Sequence, residues 1–312
     1  MAARRSMARL LSAGGPGAGA FLTALPTWHS KTLSPPQMLS ALRTRLGLRV
    51  QGCDELTGLR CKCAQPVVDG DPTGSHMLTC RECAGHFWRS RSYTLQLCVL
   101  RIGEDAGLES RLEVTVGGGQ QRTDVTFADM PVARDPASGA VTRKAEKHVD
   151  VAIVAAHGAT ALGNGAWHNR GKWAHRSAKS KADLYGPLMD HDQRFTPAIA
   201  EVHGHLHSDF RQLLRDLAEC KIDQSDRDLT LSPSERGMLM GVIINDYYQL
   251  VSVAVQKATA NNIRRVRSLV LANHRMRGHR SSKRRAPRMT RSRALSKIGT
   301  EERNRGRAVA FG

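Results

Sequence analysis

The run Val149-Asp150-Val151-Ala152-Ile153-Val154 limits the fold of this chain more than any other stretch. It is apolar enough to be a central strand, and a central strand needs partners on both sides and cover on both faces. Partners are at hand. Leu112-Glu113-Val114-Thr115-Val116 reads as a strand that stops at Gly117-Gly118-Gly119, and Arg122-Thr123-Asp124-Val125-Thr126-Phe127 as a second. The polar stretch Asp129 to His148 reads as a loop or an elongated hairpin, and Phe195 to Val202 as a fourth strand. Helical spacing covers residues 87–111, Ala174 to Leu188 and Asp209 to Ala218. Another helix starts at the cap signal Ser232-Pro233-Ser234-Glu235 and runs to Val253. Helix, strands, helix, strand, helix is an α/β order.

Two of these strands carry an aspartate in an apolar setting, Asp124 and Asp150. A carboxylate there is costly to bury unless it is paired or holds a cation. On adjacent strands the two could converge on Mg²⁺, a hard ion that favours carboxylate oxygen, with Glu113 of the preceding strand as a third ligand. Such a metal activates water for attack on a phosphodiester, and Lys181 on the following helix could orient that water or stabilise the phosphorus. The plainer alternative, which the residues by themselves favour, is that both aspartates end strands or pair with Arg122 and lysines.

Five of the seven cysteines fall within residues 53–83. Cys61-x-Cys63 followed by His76-x-x-x-Cys80 offers four soft ligands, with Asp71-Pro72-Thr73-Gly74 as a turn between the pairs. Zinc takes four N/S ligands tetrahedrally, and a site closed by four protein ligands is structural. Cys83 and His86 are spare ligands, and Cys53 is a poorer one. The alternative is a set of free thiols beside a surface histidine. His203, His205 and His207 alternate and could bind metal, but an exposed strand end is the simpler reading. Trp167, Trp173 and Tyr185 lie among basic residues and could stack on bases, with ordinary packing as the default.

Charge is concentrated at one end. Of a net +19, residues Arg264 to Arg307 carry +14, from sixteen basic side chains and two acids. Such a block repels itself and reads as a disordered arm that binds polyanions by releasing counterions. Lys283-Arg284-Arg285 has the form of a nuclear-import signal. The absence of acids before Asp54 gives residues 1–49 the look of an organelle transit peptide. No apolar run of the roughly 18 or more residues that a membrane helix needs is read from the sequence, so no membrane partner is expected.

Taken in order, certain residues carry a likeness. They are Gly-Ala-Gly-Ala-Phe-Leu-Thr-Ala-Leu-Pro (17–26), Leu42-Arg43-x-Arg45-Leu46-Gly47, Cys61-x-Cys63, His76-x-Leu78-x-Cys80, Glu113, and Arg122-x-Asp124-Val125. Asp150-Val151, Lys181-x-x-x-Tyr185 and Phe195-x-Pro197-x-x-x-Glu201-x-x-Gly204 follow. The series resembles the carboxy-terminal region of non-LTR retrotransposon polyproteins, over roughly residues 12–220. There a Cys-Cys-His-Cys knuckle follows the reverse transcriptase and precedes a restriction-endonuclease-like domain of the PD-(D/E)XK type. The resemblance implies a mixed central sheet flanked by helices, a zinc site of Cys61, Cys63, His76 and Cys80, and an active centre of Asp124, Asp150, Lys181 and Tyr185. It also argues against the transit peptide. Thr123 stands where the family usually has Pro, Leu184 replaces a frequent lysine, and the gap between the two aspartates is long. No Tyr-x-Asp-Asp is present, so the chain lacks that reverse transcriptase motif.

The expected organisation is an N-terminal segment (1–50), a knuckle (51–86), an endonuclease-like domain (87–225), a C-terminal helix (226–260) and a basic disordered tail (261–312). The expected activity is Mg²⁺-dependent nicking of DNA, with RNA as another possible partner. The competing expectation is a catalytically inactive nucleic-acid binder of the same fold.

Overall fold

A computed structural model describes residues 1–68, 73–85, 88–119, 121–134, 141–229 and 231–285. Two amino-terminal helices, α1 (Ala2–Ala13) and α2 (Pro35–Leu46), are followed by two short ones, α3 (Ser75–Thr79) and α4 (Arg81–Ala84), and by the longer α5 (Trp88–Asp105). Strands β1 (Ser110–Thr115), β2 (Arg122–Arg134) and β3 (Val141–Val154) come next, then α6 (Ala159–Gly163), α7 (Lys172–Tyr185) and β4 (Gln193–Glu201). Helices α8 (Ser208–Leu229) and α9 (Pro233–Arg285) complete the order.

The strands form one mixed sheet in the order β1-β2-β3-β4. The first three are an antiparallel meander, and β4 runs parallel to β3 after the crossover through α6 and α7. The run Val149–Val154 is therefore central, as its composition requires. The polar stretch before it is the elongated hairpin, since β2 reaches Arg134 and β3 begins at Val141. Residues 135–140 lie outside the described set.

The two faces of the sheet are covered differently. Helix α7 presents small residues, and Ala174 and Ala178 pack with Ile199, Ala152 and Val154. Methyl side chains let the helix lie close to the sheet, which decides how far its longer side chains reach. Helix α5 packs on β1, β2 and β3. At Gly103 it approaches so closely that a Cβ would stand 2.1 Å from the Phe127 ring.

Helix α9 runs well past the expected boundary at residue 260. Ala258, Ile263, Val266 and Val270 are buried, so the apolar stripe continues into the basic stretch and carries the helix with it. Val251, Ser252, Val253, Ala254, Val255 and Gln256 are buried one after another, which shows that its middle is enclosed on more than one side. The Ser252 hydroxyl accepts from the Phe21 N–H (3.1 Å), and the Asn262 amide donates to the Met77 carbonyl (3.2 Å). One 18-residue window within Pro233–Met276, of mean hydropathy 1.4, meets the length and composition test for a membrane crossing although polar residues interrupt it. Of that window 39% is buried inside the fold.

Residues Met1–Val270 form one unit, which takes in all the segments from 1 to 260. A second unit is Leu271–Gly312, of which only residues 271–285 are described, as helix. The rest of the basic tail lies outside the described residues, and so do the side chains of Lys283, Arg284 and Arg285.

The amino-terminal segment is packed rather than free. The Arg45 guanidinium donates to the carbonyls of Ala13 (2.7 Å) and Ala18 (2.9 Å). Gly204, at φ +104, lies so close to this segment that a Cβ would meet the Ala18 carbonyl oxygen at 2.7 Å.

Candidate functional site

Two groups of chemistry-bearing side chains stand out. The first is local in sequence. Cys61 and Cys63 sit in a tight turn closed by the Arg60–Pro66 bridge and by Cys61 N–H donating to Gln65 O (3.0 Å). Ala64 takes a left-handed conformation (φ 65) to make that turn. His76 and Cys80 are four residues apart across helix α3, so both project from one side of it. The four ligand atoms lie within 4.8 Å of one another. Cys61 Sγ stands 3.6 Å from Cys80 Sγ, Cys63 Sγ 3.7 Å from His76 Nε2, and Cys80 Sγ 3.7 Å from Cys63 Sγ.

These distances test whether a metal fits. Zn–S bonds of about 2.3 Å at tetrahedral angles put sulfur atoms about 3.8 Å apart. A disulfide would need about 2.05 Å. Chemistry and spacing agree, and Cys61, Cys63, His76 and Cys80 could hold a metal ion such as zinc. Burial and the neighbouring Cys80 push the Cys63 thiol up to about 11. A metal ion reverses that cost, because coordination removes the proton. Cys53 is buried elsewhere and is not in the group. The Cys83 side chain and His86 lie outside the described residues.

The second group is assembled by the fold. Strands β2 and β3 are paired up to Val125 opposite Val149. One residue further, Asp124 turns its carboxylate to the Val151 N–H, which donates to Oδ2 at 2.7 Å. Asp150 is buried (6%) and ion-paired with Lys181 of α7. The reach of that lysine follows from the helix. Ala174, Ala178, Lys181 and Tyr185 recur at three- and four-residue steps along one side, so the stripe that packs on the sheet ends in a cation and a phenol. The Tyr185 hydroxyl donates to Arg122 O (2.8 Å), and its ring stacks on Phe195 with centroids 4.8 Å apart.

Electrostatics tie the group together. Burial, and then the Asp150 carboxylate beside it, push Asp124 up to about 7, against the opposing pull of the Val151 N–H and Lys181. Burial, followed by the same two carboxylates, pushes the Tyr185 hydroxyl up to about 12. Two carboxylates pressed together in a half-dry setting either share a proton or hold a cation.

Glu113 does not join them. It takes φ +52, its carboxylate is 61% exposed, and it faces Arg122 at 3.7 Å. Its place in the β1–β2 register is interrupted between the pairs Leu112–Val125 and Val114–Thr123, and the positive φ there turns the side chain away. Asp124, Asp150 and Glu113 accordingly do not form a three-ligand cluster.

The three alternating histidines are also placed differently from expectation. They lie in a buried turn after β4, not on an exposed strand end. Two of the three pair with other histidines: His203 Nε2 is 3.3 Å from His157 Nδ1, and His207 Nε2 is 3.3 Å from His175 Nδ1. Trp173 packs on Ala156, Ala161 and Ala166, and the Arg4 guanidinium lies over Trp167 at 4.7 Å.

Supporting residues carry no chemical motif in the sequence. The Gln96 amide donates to Asp124 O (2.8 Å) and fixes the backbone under the carboxylate. Buried Arg91 donates to Leu78 O (3.2 Å) and Ile153 O (2.6 Å), joining α3 to the end of β3. Glu201 accepts from the Ala174 N–H (3.3 Å) in the first turn of α7, where a carboxylate complements the helix dipole. A charged residue at helical spacing among apolar ones was the available signal for Arg91. Gln96 gave none.

No family model and no curated protein matches the chain.

Proposed function

We propose that the chain is a metal-dependent endonuclease that nicks DNA, built as a zinc knuckle joined to a PD-(D/E)XK-like domain and derived from a non-LTR retrotransposon. The observation that carries this reading is the meeting of Asp124, Asp150, Lys181 and Tyr185 where β2 and β3 part. The likeness in sequence order and the excess of basic charge point the same way.

Asp124 and Asp150 are the residues that would hold Mg²⁺, a cation that relieves the repulsion between them. When bound, the metal lowers the pKa of its water and neutralises charge developing on the phosphate. Lys181, which is ion-paired with Asp150, is the residue that would hold the attacking water or a non-bridging phosphate oxygen. Tyr185, one turn further along the helix, puts its hydroxyl beside the Asp150 and Asp124 carboxylates. The zinc set would be structural, since its four protein ligands leave no open position. DNA is the expected substrate, RNA a further partner, and the nucleus the site of action.

A second reading is a nucleic-acid binder with a decayed centre. Glu113 favours it, because its turn toward Arg122 leaves two carboxylates where a third ligand was expected.

The test is nicking of supercoiled plasmid with Mg²⁺ by the wild type, Asp124→Ala and Lys181→Ala. Loss of at least about a hundredfold in both variants supports the nuclease. Equal nicking by wild type and Asp124→Ala removes Asp124 from the mechanism, and no nicking by wild type leaves the binder.

A further inference from the structure

A cleft of about 590 Å³ opens between α5, α9 and the segment around Trp28. That is the size of a pocket for a small organic ligand. Positions 94, 98, 101 and 105 of α5 line it, while Gln96 turns toward the sheet, so it lies across the helix from the carboxylate group. Leu97, Leu250 and Ala254 give it apolar lining. Two aromatic side chains also line it while staying open to solvent, Trp28 at 71% and Tyr93 at 49% exposure.

The charges are arranged unevenly. Asp105 is already engaged by Lys221 (2.6 Å) and by the Tyr247 hydroxyl (3.0 Å), and Asp246 by Lys31. Arg101 and Lys257 face each other with no carboxylate partner among the described residues. Lys257 is held by the His29 carbonyl (3.0 Å). Burial, and then Arg101, lower its pKa from the ordinary lysine value. Two cations beside an apolar surface with flat rings at the margin match an anion with a flat apolar body.

We propose that this cleft binds a nucleoside phosphate, either free or as one residue of a single strand. Arg101 and Lys257 take the phosphate oxygens, and the base lies on the Leu97 and Leu250 side chains against the Trp28 or Tyr93 ring. Stacking of this kind tolerates any base, because every base has a π-face. The proposal stands apart from the nuclease reading and needs no cleavage.

The test uses the full-length Asp124→Asn protein without added Mg²⁺, so that a failure of nuclease activity cannot enter. Calorimetric titration compares thymidine 5′-monophosphate, thymidine and inorganic phosphate. Fluorescence anisotropy follows a labelled oligothymidylate. The expected result is that the nucleotide binds at least tenfold tighter than thymidine or phosphate alone. Arg101→Gln with Lys257→Gln should weaken it at least tenfold, and Trp28→Ala with Tyr93→Ala severalfold, at unchanged melting temperature.

The two sources then separate. Nucleotide as tight as the oligonucleotide supports a free ligand. An oligonucleotide that alone binds, and weakens in both double variants, supports a strand. The basic tail is common to all the proteins and cancels from that comparison. Phosphate binding equal to nucleotide binding, or affinities untouched by both double variants, overturns the proposal.

Discussion

The Cys/His group and the carboxylate group both gather groups that would repel or waste one another without a cation, yet they are built in opposite ways. The first is made within twenty residues by one turn and one short helix. The second draws Asp124 from β2, Asp150 from β3 and Lys181 from α7, and exists only once the sheet has formed. A locally built site should behave as part of the fold. A site assembled by register should be separable from it, because the sheet is held by Val125, Phe127, Val149 and Val151, whose burial does not depend on the acids. This difference can be broken experimentally.

The largest effect is expected at the Cys/His group. Cys80→Ser should remove one equivalent of zinc per chain, read by elemental analysis. It should also cost several kcal/mol, seen as a fall in melting temperature on the order of 10 °C, since metal binding is coupled to folding. Met77 and Leu78, buried between the ligands His76 and Cys80, would lose their anchor with it. A purified wild type with no zinc, or a variant that melts with it, would put this group on the same footing as the other.

Next comes the carboxylate group, where stability and activity should move apart. Asp124→Asn keeps an acceptor for the Val151 N–H and removes one of two like charges, so it should not lower the melting temperature at pH 8. Nicking should nonetheless fall at least about a hundredfold. A large loss of stability instead would show that the aspartates hold the sheet together.

How much of this was legible follows from the same contrast. The Cys/His group was readable because its spacing is itself the geometry. The central strand was readable because an apolar run on both faces has few other uses. Asp124, Asp150 and Lys181 could be named and their convergence raised as an expectation, but the residues by themselves favoured the plainer alternative, since the meeting depends on the Val125–Val149 register and on the small residues Ala174 and Ala178 that seat α7. The fate of Glu113 was illegible, because a single positive φ undoes the alternation that pattern reading assumes. The extent of α9 was hidden by its charge. Arg264 and Arg265 look like the start of a tail, whereas Ile263, Val266 and Val270 keep the helix anchored.

A third carboxylate serves as a control for the pair. Glu201 is buried, with the Ala174 N–H as its hydrogen-bond donor and the Ser12 hydroxyl nearby, both neutral, and burial pushes it up to about 7. Its folded value lies above its unfolded one, near 4.5. The stability linked to it is thus fully present below about 4.5 and is lost as pH rises through about 7. Glu201→Gln should flatten that part of the stability curve, by about 3 kcal/mol between pH 4.5 and 8 in urea unfolding. If the slope persists unchanged, Glu201 is not its source.

The smallest expected effect concerns Glu113, and it bears most directly on whether two carboxylates suffice. Its ion pair with Arg122 is solvent-exposed on both sides, so Glu113→Ala should change stability by less than about 1 kcal/mol. If the side chain stays turned away during the reaction, nicking should fall by less than about threefold, roughly the RT-scale loss of one distant charge. A hundredfold loss at unchanged stability would mean that Glu113 leaves Arg122 and completes a three-carboxylate site when metal and strand arrive. The positive φ at Glu113 would then be the hinge of that movement, and Glu113→Gly, which relaxes the backbone without supplying a ligand, should be as inactive as Glu113→Ala.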